Sequence, residues 1–368
     1  MGKAFNRLYV HVPFCAAKCA YCAFYSEPGA TGRSVSRYLD KLEDDFRRQA
    51  PAAAALRSVF IGGGTPTWLS AAALARLFQL VRRYFSFDRD CEVSVECNPE
   101  TLSAEKADIL AAHANRVSFG AQSFQRRFRD LLGRRGSPDK IHQAFALAGE
   151  RGMGNLSIDL IYGVPGQTPA DWGRELELAA ALPISHLSAY SLTYEEGSRL
   201  AAGPRPDEAA SAELEVEMWE MIPVALARLG IARYEVSNYA RPGRECRHNL
   251  EIWLGDTYLG CGPAATSFDG SKRWTQPADL EAWLSGAAPE GDQLPPEKLA
   301  AEIFAMGLRS TAGWSDASLR ERTGVGLEFF AAKTAPLVEQ GLLASVPGRL
   351  YPTKTGLLFW DDIAMEIL

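Results

Sequence analysis

Between residues 7 and 193 a short run of β-branched and aromatic residues gives way, again and again, to a longer stretch whose apolar positions recur at helical spacing. The short runs at 7–13, 58–63, 91–99, 116–120, 156–163 and 186–193 predict strands, because such side chains favour extended backbone. The stretches 38–49, 70–85, 103–113, 139–152 and 171–182 carry charge on one face and apolar residues on the other, which predicts amphipathic helices. Successive βα units imply a mostly parallel sheet covered by helices. That rhythm suits a doubly wound sheet and a curved partial barrel alike. The placing of unusual residues favours the second: Cys15 to Cys22 follow the first strand, Gly62 to Pro66 the second and Gln122 the fourth, while Glu96, Asp159 and Tyr190 lie on the third, fifth and sixth. Barrel sites gather at these C-terminal strand ends. The fold expected is α/β, with a partial (β/α)6 TIM-like barrel over 1–205.

The pattern then changes. A long amphipathic helix is expected from about 205 to 230, opening a smaller α+β unit over 206–290 that is rich in turns and aromatics. Residues 291–368 read as a helical tail with a small hairpin and a final helix, a winged-helix-like arrangement. The chain has 368 residues and a formal net charge of -6, so no overall electrostatic case exists for a nucleic-acid partner. The Ala-rich runs are broken by charge, so no transmembrane segment is expected, and the N-terminal stretch lacks the apolar core of a secretion signal. A cytoplasmic location follows as the expectation.

Of seven cysteines, Cys15, Cys19 and Cys22 fall within eight residues as CxxxCxxC, whereas Cys91, Cys97, Cys246 and Cys261 are scattered and read as small buried hydrophobes. Thiolates are soft, strong iron ligands, and this spacing lets one loop wrap a cluster. Three thiolates on a cubane leave a fourth iron open to chelation by an amino acid. The competing reading is a zinc or structural site completed by His11 or Cys97. Gly62-Gly63-Gly64-Thr65-Pro66 after the second strand allows close backbone approach to a ligand, with exposed amide donors to hold it, or makes a tight structural turn.

Together the cysteine signature and GGGTP resemble the radical S-adenosylmethionine superfamily. YVHVPFCAAKCAYCAF, FIGGGTPT, SVECNPE, VSFGAQSF, LLGR and IDLIYGVPGQT resemble more closely the oxygen-independent coproporphyrinogen III dehydrogenases and their relatives, over nearly the whole chain. The resemblance implies a radical SAM barrel with a [4Fe-4S] cluster on Cys15, Cys19 and Cys22. It places Tyr9 beside the cluster, Gly63, Gly64 and Thr65 at the amino-acid end of S-adenosylmethionine, and Glu96, Gln122, Arg134 and Asp159 around that cofactor. A reducing electron donor is implied as a partner. Ala23-Phe24 stands where the dehydrogenases have a further cysteine, and EVSNYARPGRECRHNLEIW is similar to the HNxxYW haem-associated segment of HemW-type haem chaperones. This branch implies that haem binds at His248, covered by Trp253 and Tyr239, for delivery to an acceptor haemoprotein. Ile252 departs from the Tyr of that motif, and Ala264 and Thr266 depart from the relatives' GPGAHS. Those departures keep open a related radical enzyme, a methyltransferase or cyclopropanase acting on an aromatic small molecule.

Overall fold

The computed structural model describes residues 4–203 and 209–368. Its central sheet holds six parallel strands: β1 (Phe5–Val12), β2 (Ala53–Gly63), β3 (Phe87–Cys97), β4 (Arg116–Gln122), β5 (Leu156–Tyr162) and β6 (His186–Ser191). Between them run α1 (Gly32–Gln49), α2 (Ala71–Tyr84), α3 (Ala104–His113), α4 (Asp139–Glu150) and α5 (Pro169–Ala180). Thr31, Ser70, Ser103 and Thr168 open four of these helices, each side chain accepting a bond from the N–H three residues on.

Side chains alternate along each strand. Leu8, Val10, Val12, Val59, Ile61, Val95, Val117, Phe119, Ile158 and Leu160 form one face and are wholly buried in a core shared with Leu42 and Phe46 of α1, Leu77 of α2 and Trp172 of α5. Each such side chain contributes about 1.5–3 kcal/mol on burial. The other face is polar. Arg7, Ser58, Glu92, Ser94, Arg116, Ser157, His186 and Ser188 are each at most 4% exposed and form its floor. Nearer the C-terminal strand ends, Tyr9, Phe60, Glu96, Ser118, Asp159 and Tyr190, one from each strand, line a single cavity. Six neighbouring strands share one cavity only if the sheet curves round it, as in a partial barrel.

Residues 206–290, read from the sequence as a smaller unit, are woven into this sheet over 232–261, while Thr266–Phe268, Arg273–Thr275 and Glu290–Asp292 form a separate three-stranded antiparallel sheet. After α6 (Ala212–Leu226), β7 (Ala232–Arg233) and β8 (Asn238–Ala240) extend the β6 edge antiparallel. Past α7 (Arg247–Trp253), β9 (Leu259–Cys261) pairs parallel with β1 at the opposite edge. The reason is hydrophobic: Trp219, Ile222, Leu226, Tyr239 and Cys261 join the barrel's own core. The helix expected from about 205 begins at Ala212, capped by Ser211, and the 204–208 part of that expectation lies outside the described residues.

The tail comprises α8 (Pro296–Gly307), α9 (Asp316–Thr323), α10 (Ala331–Glu339), a hairpin of Leu343–Val346 with Arg349–Pro352, and α11 (Trp360–Ile367). It is winged-helix-like and has its own core, in which Phe304 stacks on Phe330 at 4.1 Å beside Trp314, Ile363 and Ile367. The guanidinium groups of α9 are paired, Arg320 with Asp316 and Glu328, Arg322 with Glu251 and Asp256. Among the described residues no helix is long and apolar enough to cross a membrane.

Candidate functional site

The cysteine loop leaves the end of β1 and is pinned at both ends. Phe14–Cys15 pairs with Glu27–Pro28, and the Ala20 N–H donates to the Leu132 carbonyl at 2.9 Å. His11 sits beneath, its Nε2 bonded to the Tyr25 carbonyl and its Nδ1 to the Tyr9 hydroxyl, both at 3.0 Å. Burial lowers its pKa to about 4, so the ring is neutral; a carbonyl only accepts, hence Nε2 carries the proton and Nδ1 accepts from Tyr9. With both nitrogens committed, His11 does not complete a four-ligand zinc site, and the Cys97 thiol is buried against the Asn98 carbonyl. Cys91, Cys246 and Cys261 are buried as well.

Cys15, Cys19 and Cys22 all line the cavity. The Cys15 thiol bonds Thr65 Oγ1 at 3.5 Å, and Arg134 Nη1 donates to Cys19 Sγ at 3.8 Å. Among the described residues no three His, Cys, Asp or Glu side chains converge on a single ion. Three thiols ringing one wall suit instead a multi-iron cluster, where each thiolate binds its own corner. This donor set fits a [4Fe-4S] cluster.

The glycine segment works differently from the sequence expectation. Its amide donors are spent inside the protein: Gly63 N–H on Glu96 Oε2 at 3.0 Å, Gly64 N–H on the Val12 carbonyl and Thr65 N–H on the Phe14 carbonyl, both at 2.8 Å. What the segment supplies is room. A Cβ on Gly62 would lie 2.8 Å from the Glu96 carboxyl, one on Gly63 2.6 Å from the His11 ring, and one on Gly64 2.8 Å from the Phe14 carbonyl.

Around the same cavity stand Tyr9, Glu96, Gln122, Arg134 and Asp159. Glu96 is pushed up to about 7, first by burial and then by the nearby Asp159 carboxylate. Burial also raises Asp159, although Ser118 Oγ donates to it at 2.9 Å. Gln122 has φ 69°, a left-handed conformation that costs a non-glycine residue about 1–2 kcal/mol, at a bulge between β4 and β5. Arg134 also reaches Asn98 Oδ1 at 3.0 Å and the Gly120 carbonyl. The expected cofactor residues and the three cysteines therefore share one chamber of about 1620 Å³. A usual small-molecule pocket holds about 300–1,000 Å³, so this one has room for more than one ligand.

His248 lies at the far end, on α7, 2% exposed. Its Nδ1 shares a hydrogen bond with Ser58 Oγ at 2.8 Å, and its ring lies 5.3 Å from that of Phe60. Burial, reinforced by Arg7 and Arg116, lowers its pKa to about 3, so it is a neutral ring. Its Nε2 has no partner among the described residues. Tyr239 is buried away from it beneath Arg233, while Trp253 lies under the Arg309 guanidinium at 5.1 Å. Sequence reasoning missed Glu92, whose carboxylate accepts the Arg247 and His248 N–H groups at 3.0 and 3.1 Å and so seats α7 on the barrel floor. It also missed Arg309 and Trp360, which reach the cavity from the tail. The signal for Glu92 was available, since Glu92, Ser94 and Glu96 alternate with Val93 and Val95.

Residues 9–179 match the model of the Radical SAM superfamily, and residues 294–359 that of the HemN C-terminal domain. The heme chaperone HemW of Bacillus subtilis is 33% identical over 96% of this chain and 97% of its own length. That of Mycobacterium tuberculosis is 35% identical over 100% of this chain and 95% of its own. The solved structure of coproporphyrinogen III oxidase (HemN) from Escherichia coli, described as a radical SAM enzyme, superposes with a TM-score of 0.85 at 25% identity, covering 99% of this chain and 90% of that one. The similarity runs along whole chains and includes both the sheet that bears the cysteine loop and the tail, and this protein belongs to the HemW heme chaperone family of radical SAM proteins.

Proposed function

We propose that this chain is a haem chaperone, binding haem in the cavity and passing it to an acceptor haemoprotein. The observation that carries the reading is end-to-end similarity to proteins named as heme chaperones. The cavity supports it physically, since its two ends have different chemistry. At one end Cys15, Cys19 and Cys22 would hold the cluster, with Tyr9, Gly63, Gly64, Thr65, Glu96, Gln122, Arg134 and Asp159 about S-adenosylmethionine. Bound there, these groups supply reductive sulfonium cleavage to a 5'-deoxyadenosyl radical, fed by an external one-electron donor. At the other end a neutral imidazole with Nδ1 held by a hydroxyl leaves Nε2 as the nitrogen for a haem iron, the usual arrangement of a metal-binding histidine.

One observation favours a second reading, a coproporphyrinogen-dehydrogenase-like radical enzyme acting on an aromatic small molecule. Ile252, Ala264 and Thr266, the positions that depart from the chaperone pattern, all line this one cavity. The deciding experiment is anaerobic haem titration of the reconstituted chain beside His248→Ala. One haem per chain, lost in the variant and transferable to an apo-haemoprotein, supports the chaperone. Absence of saturable binding, with deoxyadenosine formed on addition of an aromatic substrate, supports the enzyme.

A further inference from the structure

The tail does more than cap the barrel. Residues 357–361 and Arg309 come from it and line the cavity with Ile252 and Tyr258 of the 247–258 segment, making a largely apolar wall that also carries the Asp361 carboxylate and the Arg309 guanidinium. The other cations of the cavity, Lys18, Arg134 and Arg135, sit at the cysteine loop, where Arg134 is bonded to Cys19, Asn98 and Gly120. Arg309 is therefore the one lysine or arginine among the described residues lining the cavity that does not sit at the cysteine loop.

Its guanidinium is fixed in advance. Glu235, with no exposed surface, accepts from Arg309 Nε at 3.2 Å and Nη2 at 3.1 Å. Glu235 is itself held by the Ser237 N–H at 2.7 Å and Asn238 Nδ2 at 2.6 Å. Two indoles flank the group, Trp253 at 5.1 Å and Trp360 at 4.8 Å from the guanidinium carbon. Nη1 has no partner among the described residues, and the side chain keeps 20% of its surface exposed. A guanidinium gripped along one edge, with the other edge free in an apolar wall, is built to take a carboxylate oxygen in a charge-assisted bond.

We propose that Arg309 is the carboxylate anchor of this cavity, donating from Nη1 to an acidic side arm of a tetrapyrrole whose ring lies along the apolar wall. This rests on the haem reading above and deepens it: the ligand class becomes a carboxylated macrocycle, and the tail becomes part of the binding site. Because Glu235 already balances the Arg309 charge, the contact acts through hydrogen-bond geometry, so its effect is moderate, about tenfold in affinity.

The test compares haem with haem dimethyl ester, which lacks free carboxylates, on the full-length, cluster-loaded chain and on R309Q. Wild type is expected to bind haem about tenfold more tightly than the ester. In R309Q that preference disappears while ester affinity stays within about threefold. A preference retained in full by R309Q overturns the proposal, as does a wild type that binds haem and ester equally, a result that needs no variant to fold. If wild type binds neither, the haem reading has failed, and the anchor with it. Melting followed by circular dichroism establishes that R309Q is folded.

Discussion

His186 reports on the polar floor of the barrel with little interference. It is 1% exposed, with Nδ1 on Ser157 Oγ and Nε2 on the Tyr234 hydroxyl, both at 2.8 Å. Replacing it by alanine leaves two buried hydroxyls short of a partner, at about 1–3 kcal/mol each, and opens a cavity. The cost at pH 7.5 is roughly 3–6 kcal/mol, a large share of the 5–15 kcal/mol typical of folded domains. The pH dependence is sharper still. Burial, with Arg116 nearby, lowers the His186 pKa well below its ordinary 6.5. The stability it contributes is therefore whole above pH 6.5 and declines as pH falls, because the unfolded chain takes up a proton that the folded ring refuses. At pH 5, about 1.5 units below the ordinary 6.5 and at roughly 1.36 kcal/mol per unit, that proton is worth at most about 2 kcal/mol. The alanine variant has no such proton to bind, so the wild-type advantage shrinks between pH 7.5 and pH 5, by up to about 2 kcal/mol. Glu96 and Asp159, whose raised pKa values act in the opposite sense, are common to both chains and cancel in the difference. Urea unfolding followed by near-ultraviolet circular dichroism at both pH values measures it; a constant difference would refute the neutral-histidine argument.

Gly64→Ala places a Cβ within 2.9 Å of backbone atoms of Val12, Pro13 and Phe14, so the cysteine loop is displaced; iron and sulfide per chain after anaerobic reconstitution should fall several-fold with the far-ultraviolet spectrum unchanged. Ala264→Gly relieves a left-handed φ of 60° and should stabilise by about 1 kcal/mol, read as a higher urea midpoint, whereas a lower midpoint contradicts the strain. Arg7→Met strips the buried partner from Asp256 at 2.8 Å and Glu251 at 3.2 Å. It should destabilise by about 3–5 kcal/mol in the same assay, and a loss under 1 kcal/mol would show that Arg322 carries the pairing alone.

Much of the barrel was legible because its information is local. Strand and helix periods, a cysteine loop and a glycine turn each lie within a few residues of one another. The tail was legible for the same reason. What was not legible joins distant parts of the chain. Arg7 meets Asp256 across 249 positions and Arg309 meets Glu235 across 74, and no local period marks either. The merging of 232–261 into the main sheet is of this kind, since two- and three-residue strands such as Ala232–Arg233 and Leu259–Cys261 carry too little pattern to announce an edge pairing. The glycines stood out in the sequence as an unusual turn but not in their bonding, because only the packed structure shows that the Gly63, Gly64 and Thr65 amides go to Glu96, Val12 and Phe14.

The inward face explains why so much polarity is tolerated inside this barrel. A buried polar group is costly unless it is hydrogen-bonded, and the floor groups largely satisfy one another: Arg7 on Ser58 and Asp256, Ser58 on His248, Glu92 under α7, Ser157 on His186. Toward the C-terminal strand ends the carboxyls Glu96 and Asp159 are held above their ordinary pKa by burial. A raised carboxyl pKa means the charged form lacks stabilisation that a cation or hydrogen-bond donor would supply. Both carboxyls face the chamber shared with the cysteines, so a polar ligand bearing a cation or donors would find its natural partners at that end, above the floor that α7, seated by Glu92, helps to make.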